Sequence, residues 1–256
     1  GKISLNFDFC PTFVLKSLFM TRLSVNLNKV ALIRNARGGN LPNLLQVALD
    51  CEKFGAEGIT VHPRPDQRHV RYDDIGPLKQ NIQTELNIEG NPTTDFIELV
   101  LEHRPAQCTL VPDAPEALTS DAGWNTLTNK DFLMSVCNLL KAAGVRISLF
   151  VDPVAEIIQG AKECGADCVE FYTGPFSKNF STDPEEAVKN HVQAALLAHS
   201  LGLKINAGHD LNLDNLSFYA QKVPHLDEVS IGHALISDAL YLGLEETIKR
   251  YKAALK

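Results

Sequence analysis

Eight short apolar segments, separated by helical patterns, constrain the fold of this chain more than any other feature. Each segment is typical of a buried strand, and the helical patterns are long enough to carry the chain to a parallel neighbour. We therefore predict a single α/β domain, an eight-stranded parallel TIM barrel with additional helices. The predicted strands span residues 24–28, 58–64, 86–90, 108–112, 147–152, 168–174, 204–209 and 228–233.

The length and composition of the chain agree with one barrel. A barrel of this kind commonly uses about 250 residues. This chain has 256, of which 45% are hydrophobic and 21% charged, as in a soluble protein with a full core. We assign residues 22–256 to the catalytic barrel. The apolar stretch 7–19 lacks the basic leader of a signal peptide, so residues 1–21 are predicted to be a dispensable or vector-derived extension.

The net charge, the length of the apolar segments and the spacing of the cysteines indicate which binding partners and which cellular compartment to expect. A net charge of −7 gives no electrostatic reason to expect nucleic acid or an anionic membrane surface. No run approaches the roughly 18 apolar residues of a membrane span. The six cysteines lack paired CxxC spacing, which favours reduced thiols in a cytoplasmic protein. The negative net charge is still compatible with a small anionic substrate, because a few arginine and histidine side chains at a binding site can outweigh negative charge that is spread over the surface.

Polar residues follow most of the predicted strands at their C-terminal ends. In a parallel barrel these ends converge on one face, where barrel enzymes keep their active sites. The recurrence predicts an enzyme with its active site at this mouth. The residues that arrive there include Asn26, His62, Arg64, Glu89, Asp152, Glu170, Asn206, His209 and His233.

The segment after strand two, residues 62–69, holds two prolines and four possible cations. Alternation places His62 and Arg64 on the same side of the strand. Arginine offers a planar fork of donors for phosphate, and histidine exchanges a proton near neutral pH. The segment therefore predicts proton transfer beside a phosphate site, with an ordinary polar surface loop as the alternative.

Two carboxylates are predicted near the mouth. Glu89 lies in a strand otherwise without charge and suits a general base, with a pKa tuned by burial and neighbours. The alternative is a structural ion pair with an arginine such as Arg64. Glu170 occupies the equivalent place on strand six, where it could orient histidines or stabilise a developing cation. A purely structural Glu170 is its alternative.

Gly-His pairs end the last two strands, as Gly208-His209 and Gly232-His233. Glycine lets backbone amides approach a ligand closely, and the helix after strand eight turns its amide end toward it. Barrels often bind a phosphate at these two loops. His209 would then act as an acid or base beside that anion. Two histidines that only cap strands are the alternative.

The same residues bear on two other kinds of barrel enzyme, Schiff-base aldolases and metal-dependent enzymes. Lysine is absent from the predicted strand C-termini, so a Schiff-base aldolase has no evident nucleophile. Four residues at the mouth are suitable metal-ligand types, but they lie on four strands and no local spacing indicates coordination. We predict no metal, and a metal-dependent sugar-phosphate epimerase or isomerase and a non-catalytic phosphate-binding barrel stay as alternatives. The four residues are His62, Glu89, His209 and His233.

Three connections carry further predictions. After strand one, a basic turn with Arg34 and Arg37 precedes a helix that opens near Pro42. The connection 113–130 is rich in turn formers and contains the only tryptophan, which favours a functional lid. Residues 182–185 resemble a capping box that opens a helix. The C-terminal segment is predicted to form two helical pieces hinged near Gly243.

These motifs resemble the pyridoxine 5′-phosphate synthase family. With their spacing, the resemblance covers about residues 22–256. It implies a cofactor-free condensation of 1-deoxy-D-xylulose 5-phosphate with 3-amino-2-oxopropyl phosphate, which gives pyridoxine 5′-phosphate, phosphate and water. The matching segments are 25–38 (VNLNKVALIRNARG), 58–69 (GITVHPRPDQRH), 87–89 (NIE), 148–150 (SLF), 206–209 (NAGH) and 231–233 (IGH).

The resemblance also implies roles for single residues, carried over by motif. His62 and Glu89 would accept protons, and His209 would donate one. Glu170 would stabilise charged intermediates. The residues that would hold deoxyxylulose phosphate are Arg64, His69 and Thr119. Those that would hold aminooxopropyl phosphate and the product are Asn26, Arg37, the amide of Asp210, Gly232 and His233.

The chain departs from the family pattern at two places that are predicted to contact substrate. Asn28-Lys29 stands where many members have Asp-His, so the neutral Asn28 brings no charge to the substrate. Asp210 replaces the glycine often found after the strand-seven histidine. That change leaves a backbone contact possible but adds a negative side chain near a phosphate.

The resemblance further implies a homo-octamer. The connection after strand six and the divided C-terminal segment offer candidate extra helices for subunit contacts. We predict four aromatic side chains on them as apolar contacts, with packing inside their own barrel as the alternative. They are Phe176, Phe180, Tyr241 and Tyr251.

Overall fold

The computed structural model describes residues 20–113 and 122–256, which contain a closed eight-stranded barrel. Each strand pairs in parallel with the next along the chain, and β8 closes on β1. The predicted TIM barrel is confirmed. The strands are β1 Arg22–Asn26, β2 Gly58–Val61, β3 Glu85–Gly90, β4 Gln107–Leu110, β5 Arg146–Val151, β6 Cys168–Phe171, β7 Lys204–Ala207 and β8 Leu226–Ile231.

Most predicted strands continue one to three residues past the observed C-terminal ends. The strands end earlier because some of the polar residues at the mouth leave the ladder to form loops and helix starts. His62, for example, follows the last residue of β2, and His209 lies two residues beyond β7. These side chains therefore belong to the rim of the barrel and not to the sheet.

Eleven helices surround the barrel in the described part of the chain, and none of them is long and apolar enough to cross a membrane. Gly243, with φ of +78°, divides the C-terminal segment into two helices as predicted. The helices are α1 Asn28–Asn35, α2 Leu44–Lys53, α3 Tyr72–Asn81, α4 Thr94–His103, α5 Lys130–Ala142, α6 Ala155–Glu163, α7 Gly174–Asn179, α8 Pro184–Ser200, α9 Leu216–Lys222, α10 His233–Leu242 and α11 Leu244–Ala254.

Two local predictions need correction. Helix α1 occupies part of the segment predicted as a basic turn, and its Arg34 is buried against Asp74 of α3. The partner lies 40 residues away, so the composition of the turn could not reveal it. At the start of α8, Asp183 and not Thr182 is the cap, because its carboxylate accepts a bond from the amide of Glu186 at 3.1 Å.

The barrel interior is polar, while the apolar core lies between the strands and the helices. Alternation points every second strand residue inward. Ser24 and Thr60 share a hydrogen bond of 2.8 Å between their hydroxyls, and the Thr109 hydroxyl donates to Asn87 Oδ1 at 3.1 Å. The same alternation carries Glu89, two residues beyond Asn87, into the interior at the mouth.

Three of the four aromatic residues predicted as subunit contacts pack inside their own barrel. The rings of Phe176 and Phe180 lie 5.5 Å apart within an aromatic cluster that includes Tyr219. Tyr251 is fully buried, and its hydroxyl donates to an aspartate at 2.8 Å. Only Tyr241 of the four is exposed, at 91%. A buried aromatic ring removes a large apolar area from water, which explains the internal packing.

Candidate active site

A chain of hydrogen bonds joins the ends of the first three strands at the mouth. Asn26 Nδ2 donates to Glu89 Oε2 at 3.3 Å, and the amide of Asn28 donates to Asn26 Oδ1 at 3.0 Å. Asn28 Oδ1 in turn accepts from the amide of His62 at 2.8 Å. The structure therefore brings four predicted site residues together. The Asn28 side chain also fixes the loop that carries His62.

Two histidines after β2 are held in their neutral forms. The rings of His62 and His69 lie 5.9 Å apart in an edge-on arrangement. Burial lowers the pKa of His69 to about 4, and the positive charge of Arg64 adds to the effect. Burial and the charge of Arg64 also place the pKa of His62 well below its ordinary value. Near neutral pH both imidazoles can accept a proton.

Arg64 pairs with Asp113, which sequence reasoning did not select as a site residue. Its Nη2 lies 2.7 Å from Asp113 Oδ2, and both side chains are 5% exposed. The observed ion pair of Arg64 is thus with Asp113, while Glu89 accepts a hydrogen bond from Asn26. Asp113 lies just beyond the end of β4, and that position was the available signal. His62, Arg64 and Asp113 line one pocket, together with Asn91 and Thr93.

Glu89 and Glu170 influence each other across the interior. Burial raises the pKa of Glu170 to about 7, with Glu228 adding to the rise and His209 opposing it. Burial, followed by the negative charge of Glu170, raises the pKa of Glu89 well above its usual value. Two neighbouring carboxyls resist double ionisation, so the pair loses its two protons in separate steps.

One carboxylate oxygen of Glu170 has no donor in the described part of the chain. Its side chain is 4% exposed, and Oε2 has no hydrogen-bond partner among residues 20–113 and 122–256. Buried polar atoms are normally paired. This oxygen therefore suits a contact with a polar or cationic group that enters the mouth.

His209 differs from the other two histidines because a carboxylate faces it. Its Nδ1 lies 2.9 Å from Asp210 Oδ2. Burial favours the neutral imidazole, but the hydrogen bond and charge of Asp210 outweigh burial and raise the pKa of His209. His209 therefore retains a proton at a pH at which His62 and His69 have lost theirs. Such a division supplies an acid and a base in one site.

Gly208 and Gly232 lie against other strands, while the close approach of a ligand to these glycines stays a prediction. A Cβ atom on Gly208 would lie 1.9 Å from the carbonyl oxygen of Ser230, and one on Gly232 would lie 3.0 Å from Asn26 Cβ. Gly208 is thus required by the β7–β8 contact. Gly232 precedes α10 and lies against Asn26, so that helix begins beside the end of β1.

The remaining predicted residues lie at the rim or outside the described residues. Arg37, just after α1, and His233, the first residue of α10, are exposed. Thr119 and residues 114–121 of the predicted lid lie outside the described residues. At the described end of that connection, the indole N–H of Trp124 donates to the carbonyl of Leu110 at 3.1 Å. Within 20–113 and 122–256, no group of three or more His, Cys, Asp or Glu residues is arranged to hold a metal.

A closed parallel barrel with paired acids and bases at its C-terminal mouth defines an α/β-barrel enzyme of proton-transfer chemistry. The family model described as "Pyridoxal phosphate biosynthesis protein PdxJ" matches residues 23–256. The chain belongs to this family, and the predicted resemblance is confirmed.

Relatives of this family match nearly the whole chain. The chain is 60% identical over 237 residues to the pyridoxine 5′-phosphate synthase of Cytophaga hutchinsonii, across 93% of this chain and 100% of that protein. It is 58% identical, with the same coverage, to the pyridoxine 5′-phosphate synthase of Christiangramia forsetii.

Solved structures agree on the barrel. The structure of 3-keto-L-gulonate-6-phosphate decarboxylase from Vibrio cholerae O1 superposes with a TM-score of 0.63, over 92% of this chain and 97% of that chain. The identity is 8%, so this likeness concerns the fold alone.

Proposed function

We propose that this protein is a pyridoxine 5′-phosphate synthase. It condenses 1-deoxy-D-xylulose 5-phosphate with 3-amino-2-oxopropyl phosphate to give pyridoxine 5′-phosphate, phosphate and water. Within this family, the observation that carries the proposal is the division of proton affinity at one mouth. Burial lowers the pKa of His62 there, while Asp210, whose Oδ2 lies 2.9 Å from His209 Nδ1, raises the pKa of His209.

The reaction needs this division of roles. In this reaction an amine adds to a ketone, water and phosphate leave, and a ring closes. Each of these steps requires the transfer of a proton. We assign proton acceptance to His62 and to the ionised form of Glu89, and proton donation to His209. Glu170 stabilises cationic intermediates, which is consistent with its buried Oε2. Acid and base groups of different pKa supply these transfers near one pH.

Two phosphorylated substrates require two anion sites, and the mouth offers cations and amides after β2 and after β8, the two strands that flank β1. Arg64 and His69, after β2, suit the phosphate of deoxyxylulose phosphate. Asn26, Arg37 and the amide end of α10 at Gly232 and His233 suit the aminooxopropyl phosphate. The amide of Asp210 donates to Thr173 Oγ1 at 3.2 Å, so it would reach a phosphate only in exchange for that bond.

The proposal is tested by incubating EDTA-treated protein with both substrates and measuring pyridoxine 5′-phosphate by chromatography. We expect turnover without added metal or cofactor, and about 10²–10⁴-fold less with His209→Asn. A folded protein that makes no product would overturn the proposal. Activity that EDTA removes and a divalent metal restores would point instead to the metal-dependent alternative.

We also propose that the enzyme works as a cytoplasmic homo-octamer. Leu240 and Tyr241 of α10 are 73% and 91% exposed, and α10 packs against α1, which exposes Leu32 and Ile33. Exposed apolar side chains on two helices that pack together are typical of a subunit contact, and the family resemblance supplies the number eight. The five described cysteines are buried free thiols, as expected in a reducing compartment.

A further inference from the structure

We propose that Asp210 is a positioning residue for His209, whose imidazole it holds at Nδ1 so that Nε2 is the nitrogen that delivers the proton. The inference deepens the proposed function and rests on it. It assigns the side chain of Asp210 a task separate from the phosphate contact predicted for its amide. Asp210 is also the residue at which this chain departs from the glycine common in the family.

The geometry of the pair fixes the tautomer. Asp210 Oδ2 lies 2.9 Å from His209 Nδ1, within the range of a charge-assisted hydrogen bond. A carboxylate only accepts, so Nδ1–H of His209 donates and keeps its hydrogen. The proton that enters and leaves is then the one on Nε2. A carboxylate behind a histidine has this orienting effect in other proton-transfer sites.

The backbone of Asp210 is itself held on both sides. Its amide donates to the hydroxyl of Thr173, which is fully buried after β6. Its carbonyl accepts from Asn215 Nδ2 at 3.4 Å, and Asn215 Oδ1 accepts from the amide of Asn212 at 2.9 Å. The turn after β7 is thus fixed by two buried side chains, those of Thr173 (0% exposed) and Asn215 (2% exposed). A turn held in this way presents the carboxylate in one place.

The other charges near His209 do not replace Asp210. Glu170 on β6 and Asp113 after β4 also favour the imidazolium, and His62 after β2 faces it as a further titratable group. Among these residues, Asp210 combines its charge with a hydrogen bond to the ring. The side chains of His209 and Asp210 are 34% and 37% exposed, so solvent screens part of the attraction.

The proton transfer balances without another reactant. As the C–O bond of a departing hydroxyl breaks, its oxygen takes the proton from Nε2 and leaves as water. The imidazolium becomes a neutral imidazole that keeps its Nδ1–H on Asp210. The electron pair of the substrate nitrogen replaces the lost bond at carbon, and solvent returns a proton to Nε2 before the next cycle.

Asp210→Asn, which removes the charge at nearly constant shape, tests the inference. We expect the NMR titration of the His209 ring to move about one pH unit lower, and the basic limb of the kcat profile to move with it. We expect kcat to fall about 10-fold with the KM for both substrates within about twofold. Asp214→Asn changes an exposed carboxylate of the same turn and should match the wild type.

The outcomes separate the two proposals. An unchanged His209 titration and basic limb in Asp210→Asn would overturn the positioning role, as would a change confined to the KM for aminooxopropyl phosphate. If Asp210→Asn does not fold, Asp210→Gly carries the same expectations, because the family accepts glycine there. A wild type that makes no pyridoxine 5′-phosphate would overturn the proposed function, while the ring titration would still report on the pair.

Discussion

Arg34 and Asp74 form a buried bidentate ion pair that joins α1 to α3. The guanidinium contacts Asp74 Oδ1 at 2.6 Å and Oδ2 at 2.9 Å, and its Nη2 also donates to the carbonyl of His69 at 3.2 Å. Asn35 Nδ2 donates to the same carbonyl at 2.6 Å. Helix α1 therefore positions the loop that carries one of the predicted phosphate contacts.

Arg34→Ala should destabilise the fold by about 3 kcal/mol, because it leaves the mostly buried carboxylate of Asp74 without its cation. Urea unfolding measures the change. Lys130→Ala is the matched control, since it breaks an exposed pair with Glu163 and should leave the unfolding midpoint unchanged. Equal losses of unfolding free energy in the two variants would show that the buried pair contributes no more to stability than the exposed one.

Glu89→Gln should lower turnover by about 10²–10⁴-fold and leave folding largely intact. The amide keeps the shape and the bond with Asn26 but cannot accept a proton from substrate. Steady-state kinetics and circular dichroism measure the two effects. Near-normal turnover in a folded variant would show that Glu89 is not a proton acceptor.

Arg64→Ala should mainly raise the KM for deoxyxylulose phosphate, by about 10-fold or more, because a charge-assisted phosphate partner is lost. Its buried partner Asp113 complicates this variant, so Asp113→Asn serves as the control for a broken ion pair. If both variants raised this KM equally, or neither did, Arg64 would have a structural role only.

Stability should fall as the pH is lowered, through the titration of a buried histidine on α8. Burial lowers the pKa of His191 to about 4, and its Nδ1 lies 2.9 Å from the hydroxyl of Tyr219. In the unfolded chain it titrates near 6.5, so below that pH the unfolded state takes up a proton that the folded state refuses. The stability that His191 contributes is present above pH 6.5 and is lost as the pH falls to about 4.

His191→Gln removes this titration. Between pH 6.5 and 4 its free energy of unfolding should fall by about 3 kcal/mol less than that of the wild type. His199→Gln, at an exposed histidine near the end of the same helix, should follow the wild type. Parallel curves for His191→Gln and the wild type would refute the assignment.

Light scattering at micromolar concentration tests the assembly. We expect a mass about eight times that of the 28.1 kDa chain. Tyr241→Asp places a charge on the exposed end of α10 and should reduce that mass, whereas a charge reversal at the exposed terminus, Lys256→Glu, should not. A stable mass near 28.1 kDa for the wild type would rule out the oligomer.

Periodicity in the sequence is enough to predict the barrel and many of the residues at its mouth. It does not predict contacts between residues that are far apart in the sequence. Alternation by two residues places Asn26 and Glu89 inside the mouth, and the parallel topology gathers the strand ends. Two ion pairs, Arg34–Asp74 and Arg64–Asp113, join residues that are 40 and 49 positions apart in the sequence. No local sequence pattern predicts either pair. The roles of the glycines depend likewise on which neighbouring strand approaches.

The central claim is tested most directly by ³¹P NMR of the protein mixed with both substrates in EDTA. We predict that the two substrate signals disappear together and that pyridoxine 5′-phosphate and inorganic phosphate appear in equal amounts. Glu89→Gln should slow both changes alike. Substrate signals that persist beside folded wild-type protein, or the consumption of one substrate alone, would contradict the account.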